Sequence, residues 1–316
     1  MALGGAKFDQ GVAVGYSSCL KAHYSARLCR SSCRGKRIFL HAGSSKNAMR
    51  DVRHFVHQPV EFLRRYVREI LWVRSNRPRT QILLPETGLT MVLRQSGSAS
   101  LLGETLPAAV VSGLQKRIRR VEHAAGSSLV IVRLTEIGGP VILHDRADFL
   151  YNRTVPLDAV IPGRIVEDVQ NALADIRELQ QQIAAVERFL AVRIYAHNAS
   201  HQNVSPQIEQ AVRMIRAEHG RHSIATIAQR SAMSLSVLER QFRAAVGASP
   251  KSFSRLARLQ HVCRLWDSGK RLTEIAFEAG YSDQPHMVRD FQLFTGTSPE
   301  LFFSSPTPRN LPTFYK

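Results

Sequence analysis

The chain is poor in cysteine, in acidic residues and in long apolar runs. Its 316 residues include 4 cysteines, and 43 Lys and Arg outnumber 25 Asp and Glu. The longest apolar runs stop well short of the ~20 residues that a membrane-spanning helix needs, and Gln181–His197 is interrupted by Glu187, Arg188 and Arg193. No N-terminal segment has the apolar core of a secretory signal. We therefore expect a cytoplasmic protein that does not enter a membrane.

Motifs of common catalytic sites are also missing. The sequence has no G-x-S-x-G, no phosphate-binding loop and no G-x-G-x-x-G, and its first half lacks the His-x-His pair of a cupin-type metal site. We therefore expect no catalytic residue, no metal and no cofactor. An enzymatic N-terminal domain stays open as an alternative, and its available groups are His54, His57, Glu86, His123, His144 and Asp145.

Much of the formal net charge of +18 comes from residues 1–50, which hold nine Lys and Arg and one acid, Asp9. An excess of this sign favours nucleic acid, a membrane surface or an acidic protein as partner, but the uneven distribution weakens that argument. The segment shows no helical or alternating pattern, so we expect a disordered basic tail. A transit peptide is one alternative, and a start codon assigned too early is another, because foldable sequence begins at Met49.

Between about residues 55 and 137 the pattern indicates a β-domain. Short runs rich in Val, Ile and Leu alternate with Gly and Pro at the spacing of a small barrel or sandwich. These runs are EILWVRS, QILLPE, GLTMVLRQ, AAVVSG, KRIRRVEH and SLVIVRL. Apolar residues three and four apart then predict amphipathic helices over Arg164–Ile176 and Leu179–His197. We assign residues 51–197 to a β-domain with this helical pair.

One helical stripe in this region has two interpretations. Ile183, Val186, Leu190 and Ile194 recur at helical spacing and form one apolar face. Such a stripe usually packs into the core of its own chain, but a helical pair that follows a β-domain can also form a homodimer interface. Both interpretations are kept.

From Ser205 onward the sequence predicts helices only. Ser205 is followed by Pro206, and Ser223 and Ser234 precede two further helical patterns, as capping residues do. We expect a linker at 198–204, an all-α domain at 205–303 and a C-terminal tail at 304–316. The predicted fold class is therefore α+β with two domains.

The all-α region contains an internal repeat. Residues 223–250 align with residues 271–299, and each unit has an Ile-Ala pair, a turn, an Arg-x-Phe and a closing Gly-x-Ser-Pro. The small Ala lets two helices cross closely, while Phe242 and Phe291 would fill the core beneath them. Each unit is predicted to be a helix-turn-helix, whose second helix can enter a major groove of DNA.

Two such units joined by one long helix resemble the DNA-binding domain of the AraC/XylS family of transcription regulators. The second unit carries most of the resemblance, through Glu274, Ile275, Ala276, Ala279, Gly280, Tyr281, Ser282, Asp283, Gln284, His286, Arg289, Phe291, Gly296, Ser298 and Pro299. The resemblance covers about residues 205–303 and implies promoter DNA and RNA polymerase as partners. LPETGLTMVLRQ, VSGLQKR and RTVPLDAV are similar to the sensory domain of one AraC-like subgroup. This likeness implies that residues 51–197 are a sensory or regulatory domain.

The resemblance implies DNA contacts from the outer faces of the two second helices. The residues concerned are Ser236, Glu239, Arg240, Arg243, Gln284, Pro285, His286 and Arg289. Arg can bind guanine with two hydrogen bonds, Gln can bind adenine, and Glu can accept a hydrogen bond from the amino group of cytosine. As alternatives, either arginine at 240 or 289 could pair with an acid or bind phosphate, and Glu239 could be a solvated partner of Arg243.

The β-domain is predicted to hold a small-molecule effector in an apolar cavity. We expect the cavity to be lined by Trp72, Leu84, Met91, Leu93 and Val132. A domain that binds another protein and no small molecule is the alternative. For the whole chain, three functions compete: a sequence-specific regulator, a β-domain enzyme with a DNA-binding regulatory domain, and a nonspecific basic nucleic-acid-binding protein.

Overall fold

A computed structural model describes residues 52–199, 204–266 and 269–304. The predicted basic tail, most of the predicted linker and the predicted C-terminal tail from residue 305 lie outside the described residues. Within them, no helix is long and apolar enough to cross a membrane.

The N-terminal part forms two open antiparallel β-sheets. Its strands are β1 (Val52–His57), β2 (Val67–Ser75), β3 (Arg79–Leu83), β4 (Thr90–Ser96), β5 (Ala99–Leu101), β6 (Glu104–Thr105), β7 (Ala109–Ser112), β8 (Arg119–His123), β9 (Ser127–Leu134) and β10 (Thr154–Pro156). One sheet has the order β1-β2-β9-β4-β7-β10, and the other has the order β3-β8-β5-β6. All six predicted runs contribute strands. Of the two predicted architectures, the closed barrel is wrong, because neither sheet closes on itself.

Ten α-helices follow or separate these strands in the described part of the chain. They are α1 (Gly138–Leu143), α2 (Gly163–Asp175), α3 (Leu179–Ala199), α4 (Pro206–Ala217), α5 (Ile224–Arg230), α6 (Leu235–Val246), α7 (Pro250–Trp266), α8 (Leu272–Glu278), α9 (Gln284–Thr295) and α10 (Pro299–Ser304). Helices α2 and α3 are the predicted pair, and α4 to α10 make up the all-α region. Fold class and helical content therefore follow the sequence prediction.

The apolar stripe on α3 packs inside its own chain. Ile183, Val186, Leu190 and Ile194 are all buried, and the last three belong to the main hydrophobic core. Their burial removes them from any surface that a second copy could contact. The dimer-interface interpretation of this stripe is therefore wrong, since each of these side chains is already covered by residues of the same chain.

The same core lies behind the six-stranded sheet. Met91, Leu93 and Val132 are fully buried in it, together with Val166 and Val169 of α2. Because successive side chains of a strand point to opposite faces, their neighbours on β4 and β9 face away from the helices, toward the four-stranded sheet.

Candidate nucleic-acid interface and ligand cavity

Two helix-turn-helix units with matching geometry make up most of the all-α region. Helices α5 and α6 form the first, α8 and α9 form the second, and the 17-residue helix α7 joins them. The repeated alanines Ala228 and Ala276 are buried where the helices of each unit meet. Phe242 and Phe291 are also buried, and Phe242 packs edge-on against Phe253 of α7 with ring centroids 5.4 Å apart.

Helix α6 is the second helix of the first unit. Ser234 caps its N-terminus by accepting a hydrogen bond from the backbone N–H of Val237. Ser236, Arg240 and Arg243 are exposed on its outer face. Glu239 Oε2 lies 3.1 Å from Nη2 of Arg243. The carboxylate thus has an ionic partner one turn away, as in the alternative interpretation of this pair.

Helix α9 occupies the equivalent place in the second unit. The side chain of Asp283 accepts a hydrogen bond of 2.7 Å from the backbone N–H of His286, which holds the pKa of the carboxyl below its usual range. Pro285 lies in the first turn, where a missing N–H costs no helical hydrogen bond. The ring of His286 lies edge-on to Tyr281, with centroids 5.2 Å apart, while Gln284 is half-buried.

Arg240 and Arg289 occupy the same position of the repeat, the sixth residue of a 12-residue helix. Both are exposed, and neither makes a hydrogen bond or an ion pair with any described residue. The carboxylate next to Arg289 in sequence is already engaged, because Asp290 Oδ1 accepts from Nη2 of Arg255 at 2.6 Å. The predicted pairing of either arginine with an acid is therefore absent from the described part of the chain.

The β-domain holds the C-terminal end of each second helix. The backbone N–H of Ala147 donates to the carbonyl of Ala244 on α6 at 2.7 Å, and that of Ile118 donates to the carbonyl of Phe294 on α9 at 2.8 Å. The last carbonyls of a helix have no partner within the helix. Both contacts therefore satisfy helix ends with backbone donors from the other part of the molecule.

A buried carboxylate joins the same two parts. Glu136, just after β9, accepts hydrogen bonds from Arg68 Nη2 at 2.6 Å, from the Thr87 hydroxyl at 2.8 Å and from Arg216 of α4. Burial alone would raise the pKa of Glu136, but the charges of Arg68 and Arg216 outweigh it and lower the pKa below its usual range. The ion cluster thus stabilises the docked arrangement while the carboxylate is ionised.

Between the two sheets lies a cavity of about 570 Å³. Its walls come from both sheets, and residues at the C-terminal end of the all-α region, including Thr295, Thr297 and Phe302, complete them. A volume of this size suits a small organic ligand. The cavity is mostly apolar, with side chains such as Ile82, Val92, Leu101, Val121 and Ile131 along its sides.

The predicted cavity residues are mostly on the wrong side of the sheet. Leu84 lines the cavity, but Trp72, Met91, Leu93 and Val132 do not. These four pack against the core behind the six-stranded sheet, whereas Val92 and Ile131, one position away from Met91, Leu93 and Val132, face the cavity. The prediction was wrong for these four because a strand with apolar residues on both faces does not indicate which face encloses a cavity.

Two polar cavity residues that the sequence prediction did not include lie on β8. Arg119 and His123 face the cavity on either side of Val121. The guanidinium of Arg119 bonds the hydroxyls of Ser112 and Thr154 but makes no ion pair with any described residue, and burial lowers its pKa to about 10. The alternating pattern of this strand could have indicated them, because Arg119, Val121 and His123 are two residues apart and therefore lie on the same face of β8.

The residues considered for an enzyme are engaged in separate contacts. His57 Nε2 lies 3.0 Å from Glu187, Glu86 Oε1 lies 2.5 Å from Arg133, and His144 Nε2 lies 2.7 Å from the carbonyl of Arg193. Across the described ranges, no group of three or more His, Cys, Asp or Glu side chains could hold a metal ion. The structure therefore does not bring the six predicted groups together.

Residues 227–305 match a protein-family model described as a helix-turn-helix domain. The match begins in α5 and extends past the end of α10, so it includes most of the first unit and all of the second. The family is of AraC type, and the C-terminal region of the chain is accordingly an AraC-type helix-turn-helix domain, a DNA-binding domain of transcription regulators. A search of curated protein sequences gave no match.

Several solved structures are similar at low identity. ToxT from Vibrio cholerae is 11% identical over 80% of this chain and 97% of its own, with a TM-score of 0.43. A structure of ToxT bound to an unsaturated fatty acid is 11% identical over 82% of this chain and 98% of its own, with a TM-score of 0.43. A probable AraC family transcriptional regulator from Rhodopseudomonas palustris is 24% identical over 33% of this chain and 93% of its own, with a TM-score of 0.26. At these scores the similarities carry no argument about ligands or partners of this chain.

Proposed function

We propose that this chain, whose C-terminal region is an AraC-type helix-turn-helix domain, is a transcription regulator that reads two neighbouring segments of promoter DNA. The observation that carries the proposal is the equivalence of Arg240 and Arg289. Each projects from the same position of a capped 12-residue helix, exposed and without an acidic partner among the described residues. An unpaired guanidinium on an outer helix face is suited to bind guanine with two hydrogen bonds.

Helix α7 sets the distance between the two reading helices. Its 17 residues extend over roughly 26 Å at 1.5 Å per residue. Reading helices that enter successive major grooves on one face of B-DNA lie about 34 Å apart, or about 10 base pairs. One copy of the chain would then contact two short segments on one face of the DNA, and the site would not need to be palindromic.

We further propose that the β-domain senses an effector in its cavity. Thr295 at the end of α9 and Phe302 on α10 belong to the cavity wall, and the carbonyl of Phe294 is held by Ile118 of the β-domain. A ligand that moves these groups would change the position of the second reading helix relative to the first. The effector would thereby alter the spacing that the two helices present to DNA.

Site selection from random DNA with the wild type, Arg240→Ala and Arg289→Ala tests the reading mode. Each variant is expected to lose sequence selectivity at one segment and to keep it at the other. Each lost base contact should lower the binding free energy for the preferred site by about 1–3 kcal/mol. Arg213→Ala removes a 68% exposed arginine on α4, which lies 3.7 Å from Glu209. It is the control for loss of charge away from the reading helices and should select the wild-type motif.

Two other results would contradict direct readout by these arginines. If both variants select the wild-type motif unchanged, the arginines do not read bases. If binding weakens equally on every sequence and the slope of log affinity against log salt falls by about one unit per arginine, they bind phosphate. Failure of the wild type to select any motif would favour the nonspecific basic protein.

A further inference from the structure

The cavity between the sheets contains a half-buried cation, Arg119, that has no anionic partner among the described residues. Arg133 in its wall is neutralised, because its guanidinium lies 2.5 Å from Glu69 and 2.5 Å from Glu86. Arg119 has only the neutral hydroxyls of Ser112 and Thr154, and its Nε is buried without a hydrogen-bond partner. A charge that is partly removed from water and has no ionic partner is unfavourable, so this guanidinium is suited to bind an anion.

The other end of the same strand offers a different polar group. His123 is 8% exposed, and its Nδ1 is buried without a partner. Burial, together with the charges of Arg79 and Arg94, lowers the pKa of His123 to about 4, so the imidazole is neutral at pH 7. A neutral imidazole both donates and accepts hydrogen bonds. His123 therefore suits a hydroxyl or carbonyl group of a ligand.

The two groups are separated by an apolar wall. Arg119 and His123 are four residues apart on β8, which places their Cα atoms on the order of 13 Å apart at 3.3 Å per residue. Val121 lies between them on the same face, and Val92 and Ile131 face it across the cavity. A ligand that contacts both ends must therefore be elongated, with an apolar middle.

We propose that the cavity binds an elongated organic acid whose carboxylate is held by Arg119 and whose far end carries a polar group that bonds His123. A planar guanidinium matches a carboxylate through two parallel hydrogen bonds. The far-end bond would satisfy the one buried nitrogen of His123 that lacks a partner. This inference rests on the proposed role of the β-domain as an effector sensor and names the chemical class of that effector.

Calorimetric titration of the full chain with three ten-carbon probes tests the proposal without DNA. We expect 10-hydroxydecanoate to bind, decanoate to bind about tenfold more weakly because it leaves His123 unpaired, and 1,10-decanediol to give no measurable binding. Equal affinity of the diol and the hydroxy acid would overturn the role of Arg119. Equal affinity of decanoate and the hydroxy acid would overturn the role of His123, and no binding of any probe would overturn the proposal as a whole.

Variants separate a binding role from a structural one. Arg119→Gln should weaken the binding of 10-hydroxydecanoate at least tenfold. Arg117→Gln, which removes an exposed arginine outside this cavity, should leave the affinity for this probe unchanged. Ile131→Trp fills the cavity while keeping Arg119 and should also abolish binding in a chain that melts like the wild type. Unchanged affinity in a folded Arg119→Gln or Ile131→Trp variant contradicts the proposal. DNA selection by the reading helices is measured separately, so a negative titration leaves the proposed DNA recognition standing.

Discussion

Phe291→Ala is expected to lower the free energy of unfolding by about 3–5 kcal/mol, because it removes a large side chain from a closely packed core. Phe291 is 1% exposed, and its ring lies 5.4 Å from that of Phe302 and 5.7 Å from that of Phe303. Phe242→Ala, at the equivalent position of the first unit, should have a similar cost because Phe242 is also fully buried. Chemical denaturation followed by circular dichroism measures both losses.

The matched control is Phe277→Ala on the neighbouring helix α8. Phe277 is 71% exposed, so its removal should change stability by no more than about 0.5 kcal/mol. Affinity measurements on DNA that carries only one of the two segments extend the test. Phe291→Ala should lower the affinity for the segment read by α9 more than the affinity for the segment read by α6. A cost below about 1 kcal/mol for Phe291→Ala would mean that the ring does not anchor the second unit.

Glu136→Ala is expected to destabilise the chain by about 3 kcal/mol, at the low end for a broken buried ion pair. Its removal leaves Arg68 and Arg216 without their shared carboxylate, although Arg216 is 42% exposed and can regain some solvation. A change of this size lowers the melting temperature by roughly 4–6 °C in a chain of this length. Glu122→Ala, at an exposed site on β8, is the control and should melt within about 2 °C of the wild type.

The effect of Glu136 should depend on pH in a defined direction. The folded protein holds the pKa of this carboxyl below the ordinary value of 4.5. The contribution of the Glu136 carboxylate to the free energy of unfolding is therefore fully present above about pH 4.5. It is lost as the pH falls through the lower pKa of the folded state. The difference in stability between the wild type and Glu136→Gln should accordingly narrow as the buffer is taken from pH 7 to pH 3. A difference that stays constant over this range would show that the carboxylate contributes by shape rather than by charge.

Local sequence signals were sufficient for the all-α region. Ser223 and Ser234 cap helices where the capping pattern predicted, and Gly247 and Gly296 end α6 and α9 with φ values of 90° and 78°. Such signals act within a few residues and do not depend on distant parts of the chain. The repeated pattern then predicted two helix-turn-helix units, because the same spacing of small and aromatic residues occurs twice.

The β-domain was predicted less completely. The six apolar runs that form strands were recognised, but β1, β5, β6 and β10 were not. Three of these, β5, β6 and β10, have two or three residues each, too few for an alternating pattern to be distinguished from a loop. In β9, seven of eight residues are buried, so the sequence of this strand does not tell one face from the other.

The sequence by itself determined the elements, the repeat and the outward position of Arg240 and Arg289, because helix periodicity and capping are properties of neighbouring residues. Only the tertiary structure decided which sheet face encloses a cavity, that Arg119 and His123 line it, and that Glu136 binds Arg216. Each of these depends on contacts between residues far apart in the chain. Their energies come from burial and charge pairing between packed layers, which no local pattern of residues records.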